Sequence, residues 1–455
     1  MRNELNNVIM KTKVFFCLLF LGVCAMNACS EKEGIEINPD NAVKIGAYTI
    51  PIETALNTLD DFLAEQGVLK TRGSVNDYID NYFVVSATAK IKSLSEQDLI
   101  YAVNFIDESG YALLAADSRI SEEILAVTDQ GSISEEDFYD TNDGLTSTEN
   151  DDLSVEDYNE MIRTGALANR GYQINQACLD FVDKEINGYG DGGGGGGGTT
   201  SGSTTYEWIT VKSVPRLMNT LWAQRGEDNL FNKYCPTVGL IWQNKAPAGC
   251  VCIAVSQIMA YHEYPSALIC NGVEIDYSAI KDIYCYSDLW GTGTEASQEM
   301  LARYISTVGA WCNTQYHSIF GKSWGFSWPS DAEECLSMFG YENVSLNMGY
   351  DETIVLQSLD DGCPVFMSAI AGIIGGHAWV IDGYIKRNYV SNQGVISKRQ
   401  TLVHCNWGWH GDCNGYFTSG VFRTQEAEIS DGLGQDSEEN YWYAFNTITY
   451  ENPNK

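Results

Sequence analysis

Two thiols lie two residues apart where a short loop runs into an apolar stretch: Cys250 and Cys252, in NKAPAGCVCIAVSQIMAYHEYP, residues 244–265. From Val251 to Tyr261 the chain is largely apolar with few breakers, which predicts a buried helix. Pro247 and Gly249 stand just before it, so Cys250 falls in the first turn. There the free backbone N–H groups and the positive end of the helix dipole favour a thiolate. Cys252 lies about 200° further round the helix and points elsewhere, as a small core residue. Taken alone, two buried cysteines at the head of a core helix would explain the same letters.

A thiol nucleophile needs a histidine to share its proton and a group to orient that histidine. The chain has five, all after residue 200. His262 lies twelve residues along the same helix, about 18 Å away, and cannot serve. His317 sits in the loop-like CNTQYHSIFGKSWG with no orienting partner in view, and His404 and His410 flank an NWGW segment. His377 lies in GIIGGHAWVIDGY, where Gly375 and Gly376 allow close backbone approach and an apolar strand would hold the ring. A histidine at a strand start is by itself more often structural. The later LVHCNWGWHGDCNGYF supplies Asn406, an amide able to accept from an imidazole in a Cys-His-Asn arrangement.

These segments, in this order, resemble the streptopain-like cysteine peptidases of the papain superfamily. LWAQRGEDNLFNKYCP fits the same resemblance, although the proline that usually precedes the aromatic is missing around Asp228, Asn229 and Leu230. The spacings from Gln224 through Cys250 and His377 to Asn406 are 26, 127 and 29 residues. The resemblance implies an α+β fold: a papain-like catalytic domain, with a helix-rich part carrying the nucleophile and an antiparallel sheet carrying His377 and Asn406, preceded by an α+β prodomain. It implies that Cys250 attacks, His377 acts as base and then acid, Asn406 orients the ring, and Gln224 joins the Cys250 N–H in an oxyanion hole. Gly249 and Gly376 would support the site, Trp407 would shield the imidazole hydrogen bond, and Trp409 would wall the cleft. The family's preference for an apolar residue one position before the cleaved one carries over as a tendency.

The elements that must position these groups divide the chain in two. Residues 31–200 hold 33 acidic and 10 basic side chains, against 27 and 14 in residues 201–455, and all eleven tryptophans fall in the second part. In the first part, DNAVKIGAYTIPIETALNTLDDFLAEQ predicts a strand-like piece followed by an amphipathic helix, and YAVNFIDESGYALLAADSR predicts two strands around a turn. SGYALLAADSRISEEILAVTDQGSI resembles the family's propeptide, which implies that residues 30–187 are an inhibitory prodomain. Gly192 to Gly198 are seven consecutive glycines; no packed element survives such a run, so 188–205 reads as a linker holding the activation site, with the peptidase domain at 206–455. A separate binding domain that stays attached is the other reading of the first part.

Residues 1–29 form an export signal, with Lys11 and Lys13 before VFFCLLFLGVCAM and a lipobox-like end at Cys29 that would be lipidated. No later segment is long and apolar enough to span a bilayer. The net charge of −34 excludes nucleic acid and anionic lipid as main partners. The partners expected are protein or peptide substrates and the chain's own propeptide, with membrane contact only through the lipid anchor. Release of the mature domain outside the cell or to the periplasm follows if the cut falls in the glycine run. No cysteine or histidine group has zinc-like spacing, so neither metal nor cofactor is expected. Export permits disulfides, and Cys270–Cys285 and Cys405–Cys413 are near enough in sequence to pair. Two alternatives remain open: a papain-superfamily peptidoglycan peptidase or acyltransferase, and a surface binding protein on a retired protease scaffold.

Overall fold

A computed structural model describes residues 48–66, 78–86, 98–138, 178, 181–182, 205–226, 229–239, 244–286, 289–290, 293–319, 322–371, 375–423 and 444–455. The export signal, Cys29 and the glycine run lie outside them. Among the described residues no helix is long and apolar enough to cross a membrane.

The first part supplies α1 (Ile52–Glu65) and strands β1 (Ile79–Ser86), β2 (Asp98–Phe105), β3 (Tyr111–Ala115) and β4 (Ile124–Thr128). Helix α1 buries Ala55, Leu56, Leu59, Phe62 and Leu63, the i, i+3, i+4 stripe expected of an amphipathic helix. Strands β2 and β3 pair around the turn at residues 106–110, as their sequence predicts.

The second part begins with β5 (Tyr206–Val214) and continues through α2 (Cys250–His262), α3 (Tyr277–Ile280), α4 (Glu295–Trp311), α5 (Pro329–Met338), β6 (Ser345–Met348) and α6 (Glu352–Asp360). It closes with β7 (Val365–Ala371), β8 (Gly375–Ser391), β9 (Ile396–Asn406), β10 (Gly415–Thr418) and β11 (Ala444–Thr449). One antiparallel sheet runs β1-β2-β3-β4-β10-β9-β8-β7-β11-β6, with β5 added to β8. The architecture is α+β, with the helix that carries Cys250 packed against an antiparallel sheet that carries His377 and Asn406.

The two parts meet inside this sheet. Strand β4 pairs with β10 through Gly415↔Thr128, Tyr416↔Val127 and Phe417↔Ala126. Helix α1 covers the sheet beside this seam, and its core residues Leu59 and Phe62 share a cluster with Ile385 and Leu402 of β8 and β9. Arg387, fully buried, lies with its guanidinium 5.0 Å from the Phe62 ring and 4.3 Å from the Trp208 ring. Its Nε and Nη2 donate to Gln400 Oε1, and Gln400 Nε2 donates to the Ile124 carbonyl. Ion pairs Lys398–Glu123 (2.6 Å) and Arg216–Asp129 (3.2 Å) cross the same seam. Glu123 and Asp129 of the first part thus face basic side chains of the second.

Helix α2 is buried nearly all round, from Val251 to Ala260. This is the buried helix its unbroken apolar run predicts. It sits between α4 and the face of β7 and β8, sharing a core with Tyr304, Ile305, Phe366 and Val380.

Candidate active site

Cys250 is the first residue of α2, after Gly249 at φ +95°. A side chain there would be strained, and its Cβ would come 3.3 Å from Thr314 Cγ2 and 3.4 Å from the Gly325 carbonyl. The glycine therefore lets the loop turn into the helix under the hairpin that carries residues 315–326. Cys250 is half-buried with a free thiol. Burial pushes that thiol up, while the backbone N–H groups of Ala378, Val251 and Cys250 itself pull the other way. Burial outweighs them, so the net shift is upward, opposite to the direction that the helix terminus alone would give.

Cys250 packs against the core that contains Ala378, the strand residue that follows His377. His377 and Gly376 open β8, with Gly376 opposite Ile370 and His377 opposite Ala369. His377 Nε2 lies 2.8 Å from the Trp407 carbonyl oxygen. A carbonyl only accepts, so Nε2 carries the proton and Nδ1 is the basic nitrogen. The ring stacks on Trp409, centroids 4.6 Å apart at 29°.

Asn406 does not take the position the Cys-His-Asn pattern assigns to it. Its Oδ1 accepts from Gln257 Nε2 (3.3 Å) and from the Gly408 N–H (3.2 Å), and its Nδ2 donates to the Thr220 carbonyl (2.8 Å). It is 2% exposed, beneath the turn that presents the Trp407 carbonyl. The reason is register: Asn406 pairs with Val380 at the end of β9, and the chain then turns at Gly408, φ +70°, which brings the next carbonyl to the imidazole. Trp407 is itself pinned, its N–H donating to Asn414 Oδ1 and its Nε1–H to the Cys413 carbonyl, each at 2.9 Å. Its ring packs on Trp379, Trp409 and Phe417. Trp409 is more than a wall, because it forms the floor on which the imidazole rests.

Gln224 is half-buried on the segment between these two loops. Its carbonyl accepts from the Ala248 N–H at 2.8 Å, its neighbour Ala223 forms a β-bridge with Trp409, and the His410 N–H reaches the Trp222 carbonyl at 3.4 Å. The structure therefore brings the Gln224, Cys250, His377 and Trp407–Trp409 segments together.

Three of the other histidines have their own surroundings. His262 is buried with Nε2 3.1 Å from the Tyr450 hydroxyl, and burial pushes it down to about 4. His404 Nδ1 lies 2.6 Å from Asp382 Oδ1, and Asp382 Oδ2 accepts from the Met218 N–H. His317 lies on a hairpin strand rather than a loop, its ring beside Trp324. Cys252 is buried, its thiol donating to the Ile305 carbonyl at 3.3 Å. Cys270, Cys405 and Cys413 are not joined in disulfides, so neither of the two sequence-near pairings is made. Among the described residues no group of three His, Cys, Asp or Glu could hold a metal ion.

Sequence reading missed Thr220, Gln257 and Asn414. Gln257 did carry a signal: it is a strongly polar residue inside an apolar helix, two turns from Cys250.

Residues 222–417 match the model of the Peptidase C10 family. The chain is 28% identical over 213 residues to streptopain of Streptococcus pyogenes serotype M1, which is 42% of this chain and 50% of that protein. Streptopain of serotype M28 is 27% identical over the same extent. The chain spans about half the length of these curated relatives. Among solved structures, a fragment of prointerpain A from Prevotella intermedia is similar at 19% identity and TM-score 0.47, over 78% of this chain and 96% of that one. Active interpain A, a cysteine protease of the same organism, is similar at 23% identity and TM-score 0.37, over 52% and 95%. The second part of the chain is streptopain-like in sequence, and its match to the family model spans all four of the site segments.

Proposed function

We propose that the chain is an exported cysteine endopeptidase made as a zymogen. The observation that carries this reading is that Cys250, at the head of α2, packs against the core that includes Ala378, the residue after His377, whose imidazole Nε2 is held 2.8 Å from the Trp407 carbonyl. That arrangement leaves the basic Nδ1 for the thiol and fixes the ring from behind.

In the reaction proposed, His377 takes the Cys250 proton and the thiolate attacks the scissile carbonyl. The Cys250 N–H and the Gln224 side-chain amide stabilise the oxyanion; loss of one such donor typically costs about 10²–10³ in rate. The imidazolium protonates the leaving amine, and water, deprotonated by His377, hydrolyses the thioester. The Trp407 carbonyl takes the orienting part that sequence gave to Asn406, and Trp409 supports the imidazolium through its face.

Residues 30–187 act as the propeptide, cut from 206–455 within 188–205. Two features support this: β4 of the first part pairs with β10 of the second inside one sheet, and the ion pairs Arg216–Asp129 and Lys398–Glu123 cross the seam. Lipidation at Cys29 would hold the precursor at a membrane, and cleavage would release the mature domain. Protein or peptide is the substrate class, with a peptidoglycan peptidase or acyltransferase as the reading that the same site chemistry would also serve.

Mapping of an epoxysuccinyl thiol inhibitor on the processed protein tests the reading. A stoichiometric adduct on Cys250, with loss of casein cleavage, is expected. Full casein cleavage with Cys250 unmodified would contradict it.

A further inference from the structure

Thr220, Gln257 and Asn406 are 3%, 0% and 2% exposed and close a ring of hydrogen bonds. Thr220 Oγ1 donates to Gln257 Oε1 at 2.8 Å, Gln257 Nε2 to Asn406 Oδ1 at 3.3 Å, and Asn406 Nδ2 to the Thr220 carbonyl at 2.8 Å. Each member comes from a different segment. Thr220 stands four residues before Gln224, Gln257 seven after Cys250 on α2, and Asn406 one before Trp407.

The sense of the ring is set by the backbone. The Gly408 N–H can only donate, at 3.2 Å to Asn406 Oδ1, and the Thr220 carbonyl can only accept. Those two groups fix which way the Asn406 amide faces. Gln257 must then offer its NH₂ to Asn406, and its carbonyl takes the Thr220 hydroxyl. Every link is directional, so a shift of α2 against the Trp407 turn breaks at least one bond between buried groups.

We infer that Gln257 is a positioning residue. Through this ring it sets the nucleophile helix in register with the carbonyl that orients His377 and with the segment that carries Gln224. The inference rests on the peptidase reading for its catalytic meaning, but the geometry it describes can be probed without any substrate.

The variant Gln257→Glu keeps the size and, when ionised, removes the donor to Asn406. Burial at this fully enclosed position raises the introduced carboxyl above its ordinary value of about 4.3, so it regains a proton and a donor toward pH 5. The test is the rate of Cys250 alkylation by iodoacetamide in the full chain, followed by peptide mass spectrometry against pH, beside wild type. A drop of about tenfold relative to wild type at pH 7, closing to within about twofold at pH 5, is expected. A ratio near one at pH 7, or a drop equal at every pH, overturns the inference. If this variant does not fold, Gln257→Met decides: slowed Cys250 alkylation in a folded protein supports it, and a wild-type rate overturns it. Failure of both variants to fold assigns Gln257 to stability alone and counts against it. A wild type that alkylates normally yet cleaves no protein sinks the peptidase reading and leaves the ring's effect on Cys250 measurable.

Discussion

The imidazole of His377 lies on the indole of Trp409, ring centroids 4.6 Å apart, while its Nε2 is held 2.8 Å from the carbonyl of Trp407. One short turn thus supports the ring from its face and from its edge. A buried aromatic face favours a cation by about 0.5–2 kcal/mol, so Trp409 would stabilise an imidazolium at His377. The carbonyl fixes which nitrogen stays basic.

Removing that face has a pH signature. In Trp409→Ala the imidazolium loses support, so the basic limb of the kcat/KM profile moves to lower pH, and kcat/KM at neutral pH falls about tenfold. Trp409→Phe retains most of the activity. A profile unchanged in the alanine variant would mean that the stack contributes only packing.

Gln224 separates transition-state from ground-state binding. If its amide meets the oxyanion, Gln224→Ala lowers kcat by about 10²–10³ with KM within a few-fold. Steady-state kinetics on a short peptide measures this, and a rise in KM with kcat intact would move Gln224 to substrate binding.

The seam between the two parts has an acid response of definite sign. Burial raises the carboxyl of Glu65, against the lowering pull of Arg387, and burial raises that of Asp129 against His404 and Arg216. Groups with raised docked-state values favour docking at low pH, and that contribution is lost as pH rises through them. In Cys250→Ala cut within the glycine run, the N-terminal part is expected to stay bound more tightly at pH 5 than at pH 7.5, read by size-exclusion chromatography. Release on mild acidification would contradict these shifts.

His262 acts in the opposite direction on the stability of the second part. Its folded value, about 4, lies below the ordinary value of 6.5, so the unfolded chain binds the extra proton between them. Stability is therefore lost as pH falls from 6.5 toward 4, by about 3 kcal/mol in full. Denaturant midpoints of wild type and His262→Phe should converge as the pH is lowered through this window. Parallel curves would show that the ring near Tyr450 does not titrate on unfolding.

Much of this was legible in the sequence because it is local. An apolar run after Pro247 and Gly249 specified α2, and β2 and β3 followed from alternation around a turn. Cys250 could be singled out by its place in the first turn and His377 by the glycine pair before its strand. What could not be read depended on register. Whether Asn406 or the next carbonyl meets the imidazole turns on where β9 ends and how Gly408 bends, which the order of residues does not state. The Thr220–Gln257–Asn406 ring was hidden for the same reason, since its members are 37 and 149 residues apart in the chain. The upward shift of the Cys250 thiol escaped as well: the helix terminus was visible, but the burial that outweighs it comes from distant packing. The sheet that runs unbroken from β1 to β6 joins strands whose pairing, Thr128 with Gly415, no local pattern encodes.

The most direct measurement incubates the full chain without its export signal, beside Cys250→Ala, under reducing conditions, and follows intact mass and casein cleavage together. The account predicts that the wild type trims itself to a C-terminal product beginning near the glycine run and degrades casein, while the alanine variant stays whole and inert. If both chains remain whole and inactive, even after limited trypsin has cut that run, the proposed zymogen peptidase is contradicted.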